Sequence, residues 1–144
     1  MAKVICDIDG TLSDYSHRAT LLDKNSNGPD WNSFQALSHL DAPIPQIIHL
    51  VDCLRVSGHD ILLWTGRNER HRDITVEWLI NQSIRHTELR MRPNDDNQSD
   101  VYLKGQWLTE LGEQPLLAID DRQSVVKMFR SRGVICLQPC EGRY

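Results

Sequence analysis

Residues 4–11 read VICDIDGT: three apolar residues, Val4, Ile5 and Cys6, run directly into Asp7, Ile8 and Asp9, and then into Gly10 and Thr11. A short apolar run closed by a turn signal is the pattern of a buried strand. This one ends in two carboxylates, and burying even one unpaired carboxylate is costly. A pair in that position requires a cation or a chemical task, and the rest of the chain decides which.

Outward from this strand, strand and helix signals alternate, which argues for parallel pairing with crossover helices. The first strand covers about Lys3–Asp7. DILLWT (60–65) is a second, Leu89–Met91 a short third, LLAID (116–120) a fourth and VICLQ (134–138) a fifth. Pro43 and Pro45 frame a helix whose apolar stripe is Ile44, Ile47, Ile48, Val51 and Leu54, with Gly58 as its stop. A turn, TGRNER (65–70), precedes a helix marked by Ile74, Trp78 and Leu79. Another starts at Ser99 or Asp100 and runs to Leu111, and Val125, Val126 and Phe129 mark the last, ended by Gly133. The prediction is an α/β fold: a three-layer sandwich with a doubly wound, mainly parallel sheet in a single domain, 1–144.

One segment, about 12–42, is too long for an ordinary connection. It contains the polar loop DKNSNGPD (23–30), after which Asp30 caps a short helix carrying Trp31, Phe34 and Leu37. The expectation is a small inserted cap or flap, with His17, Arg18 and Trp31 forming a lid over substrate.

Composition sets limits. With 40% hydrophobic residues in 144, the chain can build a real core. Sixteen Lys and Arg against twenty Asp and Glu give a net charge of −4, which argues against a long electrostatic track on duplex DNA. The first residues lack the order of a signal peptide, and no apolar run approaches the roughly 20 residues of a membrane span. Cys6, Cys53, Cys136 and Cys140 form no CxxC pair and read as reduced thiols of a cytoplasmic protein. His49, His71 and His86 have no ligand-like company and read as surface or structural residues.

In open α/β sheets ligands bind beyond the carboxyl ends of the strands. The first strand brings Asp7, Asp9, Gly10 and Thr11 to that edge, the second Thr65, Gly66 and Arg67, and the fourth Asp120, Asp121 and Arg122. Four carboxylates there repel one another unless a cation joins them. An all-oxygen donor set suits Mg²⁺. Lys104 stands on the apolar face formed by Val101, Trp107, Leu108 and Leu111, so it points toward an anionic site; methionine there would drop the charge and complete the stripe, and is expected to cost activity with stability maintained or improved.

The order D-x-D-G-T, T-G-R, helix lysine, D-D resembles the four motifs of the haloacid dehalogenase-like phosphohydrolases. Finer stretches are similar to a narrower group, the 3′-phosphatase domain of phage-type polynucleotide kinases. They are GHDILLWTGR (58–67), TVEWL (75–79), LRMRP (89–93) with SDVYLK (99–104), AIDDRQSVVKMFRSRGV (118–134) and CLQPCEGRY (136–144). The resemblance implies that Asp7 attacks phosphorus and that Asp9 is the acid and base partner. Mg²⁺ would be held by Asp7, the Asp9 backbone carbonyl and Asp121, with Asp120 in support. Thr65 and the Gly66 amide would bind phosphate, Lys104 would offset its charge, Gly10 would permit close approach and Thr11 would fix the loop. Arg67, Arg92 and Arg122 match arginines of the narrower group and are expected to hold a second phosphate or a sugar-phosphate.

The chain lacks the GxxxxGK[ST] phosphate loop of the accompanying kinase, and reads as a free-standing phosphatase domain. The function expected is removal of phosphate from a nucleotide or a short nucleic-acid 3′ end. A 5′-deoxynucleotidase on free mononucleotides is the nearest alternative. A non-catalytic phosphate-binding module, or a phospho-acceptor domain of similar layering, fits less well because Asp7, Asp9 and Lys104 are all present.

Overall fold

The computed structural model describes residues 1–23 and 28–142. In chain order its strands are β1 (Lys3–Cys6), β2 (Ser13–Asp14), β3 (Ala42–Pro43), β4 (Asp60–Asn68), β5 (Glu88–Arg92), β6 (Leu117–Ile119) and β7 (Cys136–Leu137). Its α-helices are α1 (Trp31–Ala36), α2 (Pro45–Val56), α3 (Arg72–Asn81), α4 (Asp100–Leu111) and α5 (Gln123–Ser131). The main sheet has the order β5-β4-β1-β6-β7 with all pairs parallel, so the strand bearing the two aspartates is central.

The two-residue period of the strands splits the core into two layers. Ile5, Leu62 and Trp64 face one side and pack with Leu103, Trp107, Val126 and Phe129 of α4 and α5. Val4, Cys6, Ile61 and Leu63 face the other and pack with Val51, Trp78 and Leu79 of α2 and α3. Both faces are covered, as a parallel sheet requires, and the fold is the expected three-layer α/β sandwich. The four cysteines are free thiols, and no described helix is long and apolar enough to cross a membrane.

The structure corrects the sequence reading in three places. β4 does not end at Thr65: the chain stays extended through Gly66, Arg67 and Asn68. Trp64 pairs with Arg90 and Asn68 with Arg92, so an irregularity is absorbed between them. Such bulges turn a strand end and re-aim its side chains. β7 keeps only Cys136 and Leu137 of the expected fifth strand. The inserted segment, expected to be irregular apart from one helix, is stapled at its base by β2 and β3, with Ser13 opposite Pro43 and Asp14 opposite Ala42. It also holds a 3-10 helix, Ser16–Leu22, and α1, whose first turn is capped by Asp30 accepting from the Ser33 amide. Of the expected loop 23–30, residues 24–27 lie outside the described residues, as do 143–144 of the C-terminal motif.

Candidate active site

The carboxyl edge of the sheet separates its charges into two groups. In the first, the Lys104 ammonium donates to Asp7 Oδ1 at 2.9 Å and to Asp120 Oδ2 at 2.7 Å. It reaches them because α4, capped at Ser99, lays Leu103, Trp107 and Leu108 on the sheet and carries the lysine, only 2% exposed, inward on the same face. Oxygens of Asp7, Asp120 and Asp121 come within 4.8 Å of one another. Both Asp121 oxygens are buried with no hydrogen-bond donor. Gly10, at φ +78°, is pressed so close that a Cβ would stand 2.1 Å from Asp121 Oδ2. When all three are ionised, three carboxylates against one ammonium leave two negative charges. Burial, reinforced by the Asp120 charge, pushes Asp7 well above the usual carboxylate range, and the same causes push Asp121 to about 6. A divalent cation fits this set: the surplus is two charges, the donors are all oxygen, and the Asp121 oxygens are orphaned.

The second group is balanced. Asp9 is gripped by Arg67 (Nη2 to Oδ1 2.8 Å, Nε to Oδ2 3.0 Å) and by Arg18 (Nη2 to Oδ1 2.5 Å). Arg18 also donates to Asp41, from Nε at 2.8 Å and from Nη2 at 2.6 Å. Asp41 lies 3.6 Å from Arg67 and 2.7 Å from His17 Nε2. Two arginines thus meet two aspartates, all buried. Burial alone would raise the Asp9 pKa, but Arg67 and Arg18 outweigh it and hold the carboxyl well below the usual range.

This division corrects the expectation of four carboxylates sharing one cation. The Asp9 carboxylate belongs to the arginine group, so any metal contact from Asp9 falls to its backbone carbonyl. Arg67, expected to face substrate phosphate, lies under the cleft and also donates to Thr75 and Ser13. Arg18, expected in a lid, is instead buried: it is 1% exposed, donates to the Phe34 carbonyl at 2.9 Å and lies with its guanidinium carbon 4.0 Å from the Phe34 ring centroid, while His17, also expected in the lid, is exposed and does not line the cavity. The physical reason is common to both arginines, since a buried guanidinium must find anions and carbonyls.

The remaining expected residues are distributed as follows. Thr65 Oγ1 accepts the Arg67 amide at 3.1 Å, which leaves its own hydroxyl hydrogen to donate. Gly66 is packed against Asp100, where a Cβ would stand 2.3 Å from Oδ1. Thr11 is fully buried and its hydroxyl has no partner. Arg92 donates to the carbonyls of Gly66 (2.9 Å), Asp96 (3.3 Å) and Gln98 and to Asp100 (2.5 Å). It therefore organises the 93–99 loop rather than projecting a free cation. Arg122 pairs with Asp100 at 3.1 Å.

Above Asp7 and Asp9 lies a cavity of about 400 Å³. One wall is α1, the other the 94–99 loop, and Arg67, Arg92 and Arg122 contribute to its lining. His71, expected to be unrelated to the site, stands on its lining too. The cap helix is docked by Gln35, whose side-chain oxygen accepts the Asn68 amide at 2.8 Å, while the Asn68 side chain donates to the Asn94 carbonyl at 3.1 Å. Nothing local in the sequence marks Asp41, which reads as a polar residue before two prolines, or Gln35 as a tether. Both act across long sequence separations.

Fold and site together define a haloacid dehalogenase-like phosphohydrolase. The family model for the polynucleotide kinase PNKP phosphatase domain matches residues 1–144, and the chain belongs to that family. Among solved structures it is similar to a chain of the Pnkp1/Rnl/Hen1 RNA repair complex, with 28% identity and a TM-score of 0.80 over 100% of this chain and 44% of that one. The chain therefore spans less than half of that relative. At 16% identity it shares its fold with the class C acid phosphatase from Bacillus anthracis (TM-score 0.66, 96% of this chain and 67% of that one). The likeness to the haloacid dehalogenase-like protein SP0104 from Streptococcus pneumoniae is of the same kind, at 16% identity and a TM-score of 0.62, covering 96% and 84% of the two chains. No curated protein matches the sequence.

Proposed function

We propose that the chain is a Mg²⁺-dependent phosphomonoesterase that removes phosphate from a nucleotide or a nucleic-acid 3′ end. The observation that carries this reading is the surplus of two negative charges beside Asp7, with its orphaned Asp121 oxygens. Asp7, Asp121 and the Asp9 backbone carbonyl would hold the ion, with Asp120 beside them. Bound there, Mg²⁺ would neutralise charge on the phosphate and fix its orientation.

The chain's own groups then divide the work. An Asp7 oxygen attacks phosphorus, the bond to the ester oxygen breaks, and an aspartyl-phosphate forms while the leaving oxygen takes a proton. Water next attacks the phosphorus, its proton passes to Asp9, the acyl-phosphate bond breaks and Asp7 is restored with release of inorganic phosphate. Asp9 in its arginine grip is ionised and suited to this second step. For the first step it must carry the proton, which requires that the incoming phosphate draw an arginine N–H away from it. The Lys104 ammonium and the Thr65 hydroxyl supply donors to the transferring group.

The 3′ end as substrate is supported by family membership over 1–144 and by the likeness to a chain of an RNA repair complex. The moderate size of the cavity over Asp7 and the net charge of −4 favour a mononucleotide or short strand over a long duplex. Rates on a 3′-phosphate mononucleotide, its 5′ isomer and a 3′-phosphorylated oligonucleotide test this directly. We expect the 3′ isomer to be preferred, with little gain beyond a few nucleotides and a shallow salt dependence. Preference for the 5′ isomer would replace the reading with a nucleotidase, and a steep rise with length would reveal a longer nucleic-acid surface.

The metal has its own signature. EDTA should abolish turnover and Mg²⁺ restore it. Because the ion binds ionised carboxylates, its affinity should rise as pH rises through about 6, where Asp121 titrates. In chelator the sign reverses: a carboxyl whose native pKa stands above its ordinary 3.8 loses stability as pH climbs between those two values. Asp9, shifted the opposite way, exerts its effect below this window. The thermal shift produced by Mg²⁺ should therefore grow from pH ~5 to ~7. A shift that is flat across that range, or activity in chelator, would remove the proposed ion.

A further inference from the structure

The arginines expected to hold a second phosphate are engaged within the protein: Arg67 with Asp9, and Arg92 and Arg122 with Asp100. Another cation on the same cavity is not. Arg70 lines it from the middle of the 3-10 turn Glu69–His71, which follows β4. Its backbone amide and its Nε both donate to the Asn68 side-chain oxygen, each at 3.1 Å. Asn68 is itself fixed, since its backbone amide donates to Gln35 and its side chain to the Asn94 carbonyl. The root of the guanidinium is therefore anchored, while its two terminal nitrogens make no hydrogen bond or ion pair among the described residues.

Nor does the cavity hold a carboxylate left over for it. Asp7 faces Lys104, Asp9 faces Arg67, and Asp96 and Asp100 face Arg92. His71, the next residue on the lining, has a ring with no hydrogen-bond partner among the described residues. Burial, and then the Arg70 and Arg67 charges, hold its imidazole below the usual range. Near pH 7 it is neutral and offers a ring N–H.

A guanidinium fork held at its root and open at its tip matches the oxygens of a phosphate. We propose that Arg70, with His71 next to it, forms a second anion subsite that takes the phosphate on the 5′ side of the substrate sugar. The inference rests on the 3′-phosphatase reading for which phosphate is removed. At about 400 Å³ the cavity has room for a nucleoside carrying both groups. At a strand end the second group is the phosphodiester to the preceding nucleotide; in a free nucleotide it is a 5′-monoester.

The test compares a 3′-phosphorylated dinucleotide with the same compound carrying a neutral methylphosphonate linkage, in both the ribo and deoxyribo series. We expect kcat/KM to be about tenfold higher for the charged linkage, the effect of one charge-assisted contact, and to fall more steeply with salt. Arg70 is exposed, so its replacement leaves the packing intact. Arg70→Gln should bring the ratio toward one, and Arg70→Lys should keep part of it, because an ammonium retains the charge without the fork. A nucleoside 3′,5′-bisphosphate, set against the 3′-monophosphate, offers the same anion as a monoester. A larger gain there assigns the subsite to free nucleotides, and a larger gain with the dinucleotide assigns it to strand ends. Equal kcat/KM for both linkages with no gain for the bisphosphate, or gains that Arg70→Gln leaves intact, would overturn the subsite. If none of the compounds is hydrolysed, the phosphatase reading falls, and calorimetric titration with the two dinucleotides in Mg²⁺ decides the subsite alone. Tighter binding of the charged compound that Arg70→Gln abolishes would uphold it, and equal binding would overturn it.

Discussion

Replacing Asp7 by asparagine should reduce turnover by on the order of 10³-fold or more, as removal of a nucleophile does elsewhere, while leaving the fold as stable as before or more so. The two parts have separate physical origins. The amide cannot attack phosphorus, so no covalent intermediate can form. The side chain, however, sits among Asp120 and Asp121, and burial together with the Asp120 charge already disfavours its ionised form. A neutral isostere relieves that repulsion and keeps an oxygen for the Lys104 ammonium, now 2.9 Å away. Acid-quenched single turnovers with labelled phosphate should show label on the native protein and none on Asp7→Asn. Turnover near the native rate in the variant would refute nucleophilic attack by Asp7.

Lys104→Met has the second large effect, and here the structure reverses what the sequence suggests. From the apolar stripe alone, methionine ought to be neutral or stabilising. In the structure the ammonium lies between two buried carboxylates at 2.7 and 2.9 Å, and these outweigh burial so that it stays charged. Its removal leaves three carboxylates facing one another without a cation. Breaking a buried pair in this way typically costs about 3–5 kcal/mol. The cost should be greatest where the carboxylates are ionised, so the melting temperature of the variant should fall further behind the native protein at pH ~8 than at pH ~5, and Mg²⁺ should recover part of it. Turnover should drop as well, because the transferring phosphate loses its ammonium donor. An unchanged melting temperature at the higher pH in chelator, with unchanged kcat, would return the lysine to a packing role.

These two cases show where the sequence was readable. The layered sheet followed from β1 and from apolar periods that both faces of the sheet satisfy, because strand burial depends on local composition. That Asp7, Asp120 and Asp121 meet at one edge followed from topology, since parallel strands all end on the same side. What could not be read was which charges pair. Arg18 and Arg67 lie nine and fifty-eight residues from Asp9, and only the packed insertion brings Arg18 and Asp41 beneath the cleft. Nor does the string TGRN betray that the chain remains extended through it, since the bulge that allows this is set by pairing with β5.

The short antiparallel ladder that closes the base of the insertion bears on how this protein can change. Ser13 meeting Pro43 and Asp14 meeting Ala42 fix the two points where the chain departs from and rejoins the sandwich. With the ends already held, adding or deleting residues between them alters loop-closure entropy only slowly, by about 0.6 kcal/mol for each doubling of length. A single-residue slip in β1, by contrast, would exchange the two faces of the central strand. Lineages of such domains can therefore drift freely in cap length and cap side chains while the catalytic edge stays in register. For the engineer, the same stem is the natural place to graft a foreign cap: a segment bearing different side chains, joined at Asp14 and Ala42, would reshape the cleft, provided that it also returns an Arg18–Asp41 pair beneath it.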